Sequence, residues 1–372
     1  MTRRNLWALS FIISLAFAAG TALLWQQETS QYQHRPGQLT SPQRVSEELN
    51  DYRQRHAERT DYLAIPTGVF VQSLEFIDTY DVNLTGYVWQ RYDLATPATV
   101  SRGIVFPDQI SSSETTLERV YRRIEGDKEV IGWYFDVTLR QHFDYTSYPL
   151  DRHDVWLRIW HHDFDKNIVL LPDLEAYKST RERETFGLDR KIVSGSWIIN
   201  ETFFQYQVSE YDTNFGIRDY VGQEGFPELH FNIVISRSFW DAFVLNLVPL
   251  FVVVVLLFSV MLVTTKDKER AEVYGFNVSG ATGAVSALFF VVMLGHIQLR
   301  ESLAGANIVY LEQYYFVIYL TILLIPLNIF IFSFGLDKGP LRLLHYDHNL
   351  IPKVAFFPLV TGAFFLITWC YF

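Results

Sequence analysis

Residues 228–264 read ELHFNIVISRSFWDAFVLNLVPLFVVVVLLFSVMLVT, and the first nine positions differ in kind from the rest. Leu229, Phe231, Ile233 and Ile235 alternate with Glu228, His230 and Asn232. That period of two belongs to a strand with one packed face and one solvated face. From residue 239 the alternation gives way to a nearly unbroken apolar run ending at 264, long enough to cross a hydrocarbon core of about 30 Å as a helix. Arg237 marks the change of solvent.

Working outward, three more apolar windows follow, at residues 274–297, 310–334 and 350–372. The first of these has a half rich in Gly, Ala, Ser, Thr and Asn, so it calls for enclosure by other helices or for contact with water. The chain also opens on an apolar run after Arg3 and Arg4, at residues 6–25. Residues 1–25 therefore read as a secretory signal, with Ala16-Phe17-Ala18 as an A-x-A site, or as an uncleaved anchor. In both cases the two arginines stay inside and residues 26–237 are exported. The loop with Lys266, Lys268 and Arg270 and the segment with Lys338 and Arg342 then fall on the cytoplasmic side, as positive charge prefers, although Arg300 does not.

Of the 372 residues, 49% are hydrophobic and 19% charged, with a net charge of −10 and Cys370 as the single cysteine. A disulfide scaffold, a disordered chain and a nucleic-acid binder are thereby disfavoured. Short strands with turn signals between them are expected at 68–77, 84–92, 129–141, 155–160, 196–208 and 228–236, the spacing of a sandwich. Ahead of them lies a polar segment, 26–62, in which Ser41 caps a helix beginning at Pro42. The exported β domain is placed at 63–237 and the membrane domain at 238–372. No enzyme motif occurs in the exported part. The loop carrying Asp163, Asp165 and Asn167 has the oxygen spacing of a weak calcium site or of a solvated polar loop, and no other cofactor is expected.

The segment Phe143-Asp144-Tyr145-Thr146-Ser147-Tyr148-Pro149-Leu150-Asp151-Arg152-His153 resembles the signature loop of the pentameric ligand-gated ion channels, the Cys-loop receptor superfamily. Arg237 at the strand–helix junction and Pro249 in the first C-terminal span strengthen the resemblance, which covers residues 60–372. The absent loop cysteines and the short connection at 335–349 are similar to the family's prokaryotic members, whereas residues 299–307 lack the usual Leu-Pro. The resemblance implies an exported immunoglobulin-like β-sandwich followed by a four-helix transmembrane bundle, assembled as a homopentamer around a central pore in a bacterial inner membrane. It also implies a small-molecule or ion agonist, and coupling through Tyr148, Pro149 and Asp151 with Asp151 paired to Arg237.

Helical spacing from Ser279 selects Thr282, Ser286, Phe289 and Met293 as a pore-lining stripe that continues to His296, with a neighbouring register through Gly283 and Phe290. Small residues there equally suit tight helix packing. Glu272 is the candidate for an acidic ring that favours cations. The resemblance further implies agonist contacts between neighbouring copies, with Phe106, His161, Tyr211 and Tyr220 facing Trp89 or Trp133 of the next copy, and aromatic walls of that kind suit an organic cation. The excess of eleven acidic charges between residues 26 and 237 would concentrate cations or simply confer solubility. Two other classes remain at this stage: a membrane-anchored sensor without conductance, and an intramembrane enzyme using His296, Arg300, Glu301 or the His345/Asp347/His348 cluster.

Overall fold

The computed structural model describes residues 2–31, 35–55, 62–110, 116–218, 220, 225–263, 278–303, 307–334 and 346–372, without the side chains of 53 and 55. Two compact units emerge. The helical unit takes Met1–Tyr32, Asp144–Asp151 and Ser238–Phe372, and the sheet unit takes Gln33–Phe143 and Arg152–Arg237.

In the sheet unit, helix α2 (Pro42–Arg55) starts at a proline, and the Ser41 hydroxyl accepts the Arg44 N–H at 3.3 Å. Among the described residues the strands that follow are β1 (Leu63–Phe76), β2 (Asp81–Asp93), β3 (Ile104–Val105), β4 (Thr116–Glu125), β5 (Lys128–Arg140), β6 (Arg152–His161), β7 (Ile168–Pro172), β8 (Leu188–Val193), β9 (Trp197–Ser209) and β10 (Phe226–Arg237). One sheet runs β4-β5-β2-β1-β7 with β8 also on β1, and the other runs β3-β6-β10-β9. Alternation decides which face each strand buries. In β6, Val155, Leu157 and Ile159 are buried while Asp154, Trp156 and Arg158 are not fully so. They meet Phe231, Ile233 and Ile235 of β10 and Phe204 of β9 in a core shared with Val69, Leu84, Phe135 and Val137. Each such side chain is worth about 1.5–3 kcal/mol on burial. Where β1 bulges between Val71 and Ser73, its partner is Gly86, at which a Cβ would sit 2.1 Å from the Phe70 carbonyl oxygen. The bulge tolerates only glycine there.

Among the described residues, five helices are long and apolar enough to cross a membrane: α1 (Arg3–Ser30), α3 (Phe239–Val263), α4 (Val278–Ser302), α5 (Tyr310–Phe334) and α6 (Leu350–Tyr371). Within α3, Phe243–Leu247 is a π-helical segment directly ahead of Pro249. A proline cannot donate to the carbonyl four residues earlier and its ring crowds that carbonyl, so a widened turn is a way to carry the chain past it.

The expected fold, an immunoglobulin-like sandwich followed by a four-helix bundle, is corrected by these observations. The chain is a mixed helix-and-sheet protein that begins with a helix, continues through a β-rich middle and ends in helices. The apolar unit is not a bundle appended to finished sheets, since α1 and Asp144–Asp151 both belong to it. The larger sheet is mixed as well: β1 runs parallel to β7 over residues 63–67 and parallel to β8 at 71–73, whereas immunoglobulin sheets are antiparallel.

Candidate functional site

Helix α4 carries the residues with the most unusual exposure. Ala281, Val285, Val292 and Leu299 are its buried stripe. Ser279, Thr282, Ser286 and Phe289 are exposed and Met293 is half-buried. At about 100° per residue, the face opposite the buried stripe is centred on Gly283, Ala287, Phe290 and Leu294, all of them exposed. Thr282, Ser286 and Phe289 lie off that centre and, together with Phe290, line a groove of ≈ 670 Å³ shared with Tyr319, Ile322, Pro326 and Phe330 of α5. Thr282 returns its hydroxyl proton to the Val278 carbonyl at 2.8 Å. Glu272, with Lys266, Lys268 and Arg270, lies outside the described residues.

His296 leaves the stripe and turns to α5. Its Nε2 lies 3.1 Å from Glu312 Oε1, its Nδ1 lies 3.2 Å from the Tyr319 hydroxyl, and its ring stacks on Tyr315 at 5.0 Å. The other Glu312 oxygen accepts the Val309 N–H at 2.8 Å and Arg300 at 3.3 Å. Glu312 is 2% exposed, so this carboxylate is tied to two basic side chains and a backbone donor at the start of α5. Its role was missed from the sequence, where an acid in the first turn of an apolar span was the available signal.

Asp144–Asp151 caps the same helix. The N–H groups of Tyr310 and Leu311, which have no acceptor inside α5, donate to the Thr146 and Tyr148 carbonyls at 2.7 and 3.2 Å. The Tyr148 hydroxyl accepts from Asn246 Nδ2 at 3.1 Å, inside the π segment of α3, and the Tyr148–Pro149 peptide is cis. The signature-like loop is therefore wired to α3 and α5 within one unit. Asp151 is buried, and in the sheet unit Arg237 places its guanidinium 4.2 Å over the Trp197 ring.

The aromatic candidates of the sheet unit separate into two groups. Phe106 is core, against Phe135 at 5.3 Å, and Trp133 is buried too. Trp89 donates its indole N–H to Asp173 at 2.8 Å. Tyr211 and Tyr220, by contrast, join Trp160, Phe164 and Phe215 in one cluster with ring centroids 5.3–6.4 Å apart. Arg158 lies 5.7 Å from the centroid of the Trp160 ring, bonded to Asp108 and 3.6 Å from Glu228. A cation–π position is thus filled by the chain's own guanidinium. Burial opposes the Glu228 charge, but His230, Tyr211 and Arg158 hold its carboxyl below the ordinary range. The Tyr211 hydroxyl, desolvated and donating to Glu228 at 2.6 Å, is pushed up. A cavity of ≈ 30 Å³ between Trp160, His161, Phe164, Tyr220 and Glu228 has room for water and none for an organic ligand.

His161 is buried; its Nδ1 accepts the Asp163 N–H at 3.0 Å, and desolvation brings the imidazole down to about 4. Asp163 spends its carboxylate on Lys166 at 2.7 Å and on the Ser101 N–H at 2.8 Å. Although burial works against it, these bonds hold the acid well below the carboxylate range. Asp165 is exposed and Asn167 half-buried, and among the described residues no group of three or more His, Cys, Asp or Glu is placed to hold a metal ion. Compared with known proteins, the chain matches no family model and no curated protein.

Proposed function

We propose that the protein is an ion channel built from several copies of the chain, five by analogy with the family its loop resembles. In this reading α4 lines the path and the sheet unit receives the stimulus. The observation that carries it is the unpacked face of α4: in a membrane-length helix, Ser279, Gly283, Ser286 and Phe290 are exposed on one side. Lipid gives small hydroxylated residues nothing to bond, so such a face suits water or a neighbouring helix. The neighbouring register, through Gly283 and Phe290, is the one that stands opposite the packed stripe. Phe290 would close the path by excluding water, beyond rings of Ser286 and Ser279 that substitute for ion hydration.

Stimulus would pass from the sheet unit into Asp144–Asp151, whose carbonyls hold the first turn of α5, and from there through Glu312 to His296 at the end of α4. The cluster of Trp160, Tyr211, Phe215 and Tyr220 is the proposed recognition point, with an organic cation competing for the place Arg158 fills. The acidic excess of residues 26–237 favours cations as the conducted species.

Reconstitution in a planar bilayer tests this reading. Discrete single-channel steps that respond to agonist or pH are expected, and Phe290→Ser should raise resting conductance at least tenfold while Phe289→Ser has a smaller effect. A monodisperse particle that never conducts would remove the channel reading, and equal effects at 289 and 290 would remove the register.

A further inference from the structure

We propose that α1 is a permanent fifth membrane span, retained after synthesis and seated parallel to α6, and not a leader removed at Ala16-Phe17-Ala18. At 28 residues it extends about 42 Å, more than the hydrocarbon core requires. Its contacts with α6 advance in step along both helices. Ser10 donates to the Val354 carbonyl at 2.6 Å, Phe17 lies against Gly362, and Gly20 lies against Phe365. A steady offset of this kind defines two helices running in the same direction.

The fit depends on the two glycines. A Cβ on Gly20 would fall 2.6 Å from the Phe365 ring, and one on Gly362 would fall 3.2 Å from the Phe17 ring. Each helix thus places a ring over a bare stretch of the other's backbone, an arrangement that gives close packing in lipid without any hydrophobic driving force. On the far side Phe11, Ile12, Leu15 and Leu23 are exposed, as lipid contact demands.

Polar contacts fix both ends. Arg3 lies 3.8 Å from Asp347, just ahead of α6. At the other end the Trp25 indole donates to the Tyr310 hydroxyl at 2.8 Å. That hydroxyl lies 2.6 Å from Tyr314 and 2.7 Å from Thr368, so one buried hub ties α1 to α5 and α6. Parallel packing also satisfies the charge rule independently: α1 starts at Arg3 and Arg4, and α6 starts after the segment with Lys338 and Arg342, so both enter from the cytoplasmic face. Cutting after Ala18 would discard Arg3, Ser10 and Phe17 and leave the α6 face at Val354 and Gly362 without its partner.

Intact mass of the full chain, tagged at its C-terminus and extracted from bacterial membranes, tests retention directly. A mass that includes residues 2–18 is expected, and a chain beginning at Ala19 would overturn the proposal. Seating is tested separately in a Cys370→Ser background. Phe17→Cys with Gly362→Cys should lose both free thiols under mild oxidation, while Phe11→Cys with Gly362→Cys should keep them. The reverse pattern, or no closure in either pair, would overturn the parallel seat. Neither measurement depends on conductance, so failure here and failure of the channel reading are distinguishable.

Discussion

Each unit contains a buried carboxylate that gathers several partners, and the two differ in what stands behind them. Glu228 in the sheet unit faces Tyr211, Ser209, His230 and Arg158, and Arg158 is also bonded to Asp108. Glu312 in the helical unit holds His296, Arg300 and the Val309 N–H among apolar spans. Removing one acid from the first network leaves a second acid in place. Removing Glu312 takes one shared carboxylate from His296, Arg300 and the Val309 N–H together. In the first network one base spans two acids, and in the second one acid spans two basic side chains and a backbone donor, so the second carboxylate is the larger single loss.

Four substitutions put numbers on these networks, the costliest first. Glu312→Ala should destabilise the protein in detergent by about 4 kcal/mol, because His296, Arg300 and the Val309 N–H lose the buried carboxylate they share. Thermal unfolding against wild type reads this, and a loss below about 1 kcal/mol would erase the contrast. Next is the pH response of His161. Its folded-state value, about 4, lies below the ordinary 6.5, so the unfolded chain takes the proton first. The stability held above pH 6.5 should therefore fall as pH drops from about 6.5 to about 4, by a total of about 3 kcal/mol. The melting temperature of His161→Gln should be flatter than that of wild type across this window, and parallel curves would contradict the assignment.

Glu228→Gln should cost about 2 kcal/mol, with Asp108 still neutralising Arg158. A cost equal to that of Glu312→Ala would show that Asp108 is no reserve at all. The smallest effect is expected from Trp25→Phe, which keeps the ring and removes the donor to Tyr310. One buried hydrogen bond is worth about 1 kcal/mol, or about 2 °C in a chain of this size. An unchanged melting temperature would mean that Tyr310 is held from α5 and α6 alone.

The contrast also shows where sequence reading stops. Strands with strict alternation, such as β10 with Leu229, Phe231, Ile233 and Ile235, are legible because burial follows residue order. β4, TLERVYRRIE, is not: it is an exposed edge strand along almost its whole length, so no buried face imprints a period on it. The apolar spans are legible by length. Their membership is not, because α1 joins α6 from the opposite end of the chain, and β1 pairs in parallel with strands about a hundred residues away. In the candidate site, spacing located the small and hydroxylated residues of α4. It did not settle which side of them is packed, a question answered by Ala281, Val285 and Val292 against their neighbours. His296 stood out as an ionisable residue in a span, but its partner Glu312 lies sixteen residues on, in the next helix.

The parallel seat of α1 on α6 also fixes an order of events. Synthesis runs from the N-terminus, so α1 is made before α6. On the proposed retention of α1, the helix made first holds its glycine notch and its indole unmatched until α6 has followed. Closure of the α1 seat therefore waits on α6, and a chain truncated before Thr368 would lack the residue that joins Tyr310, the partner of Trp25, to α6.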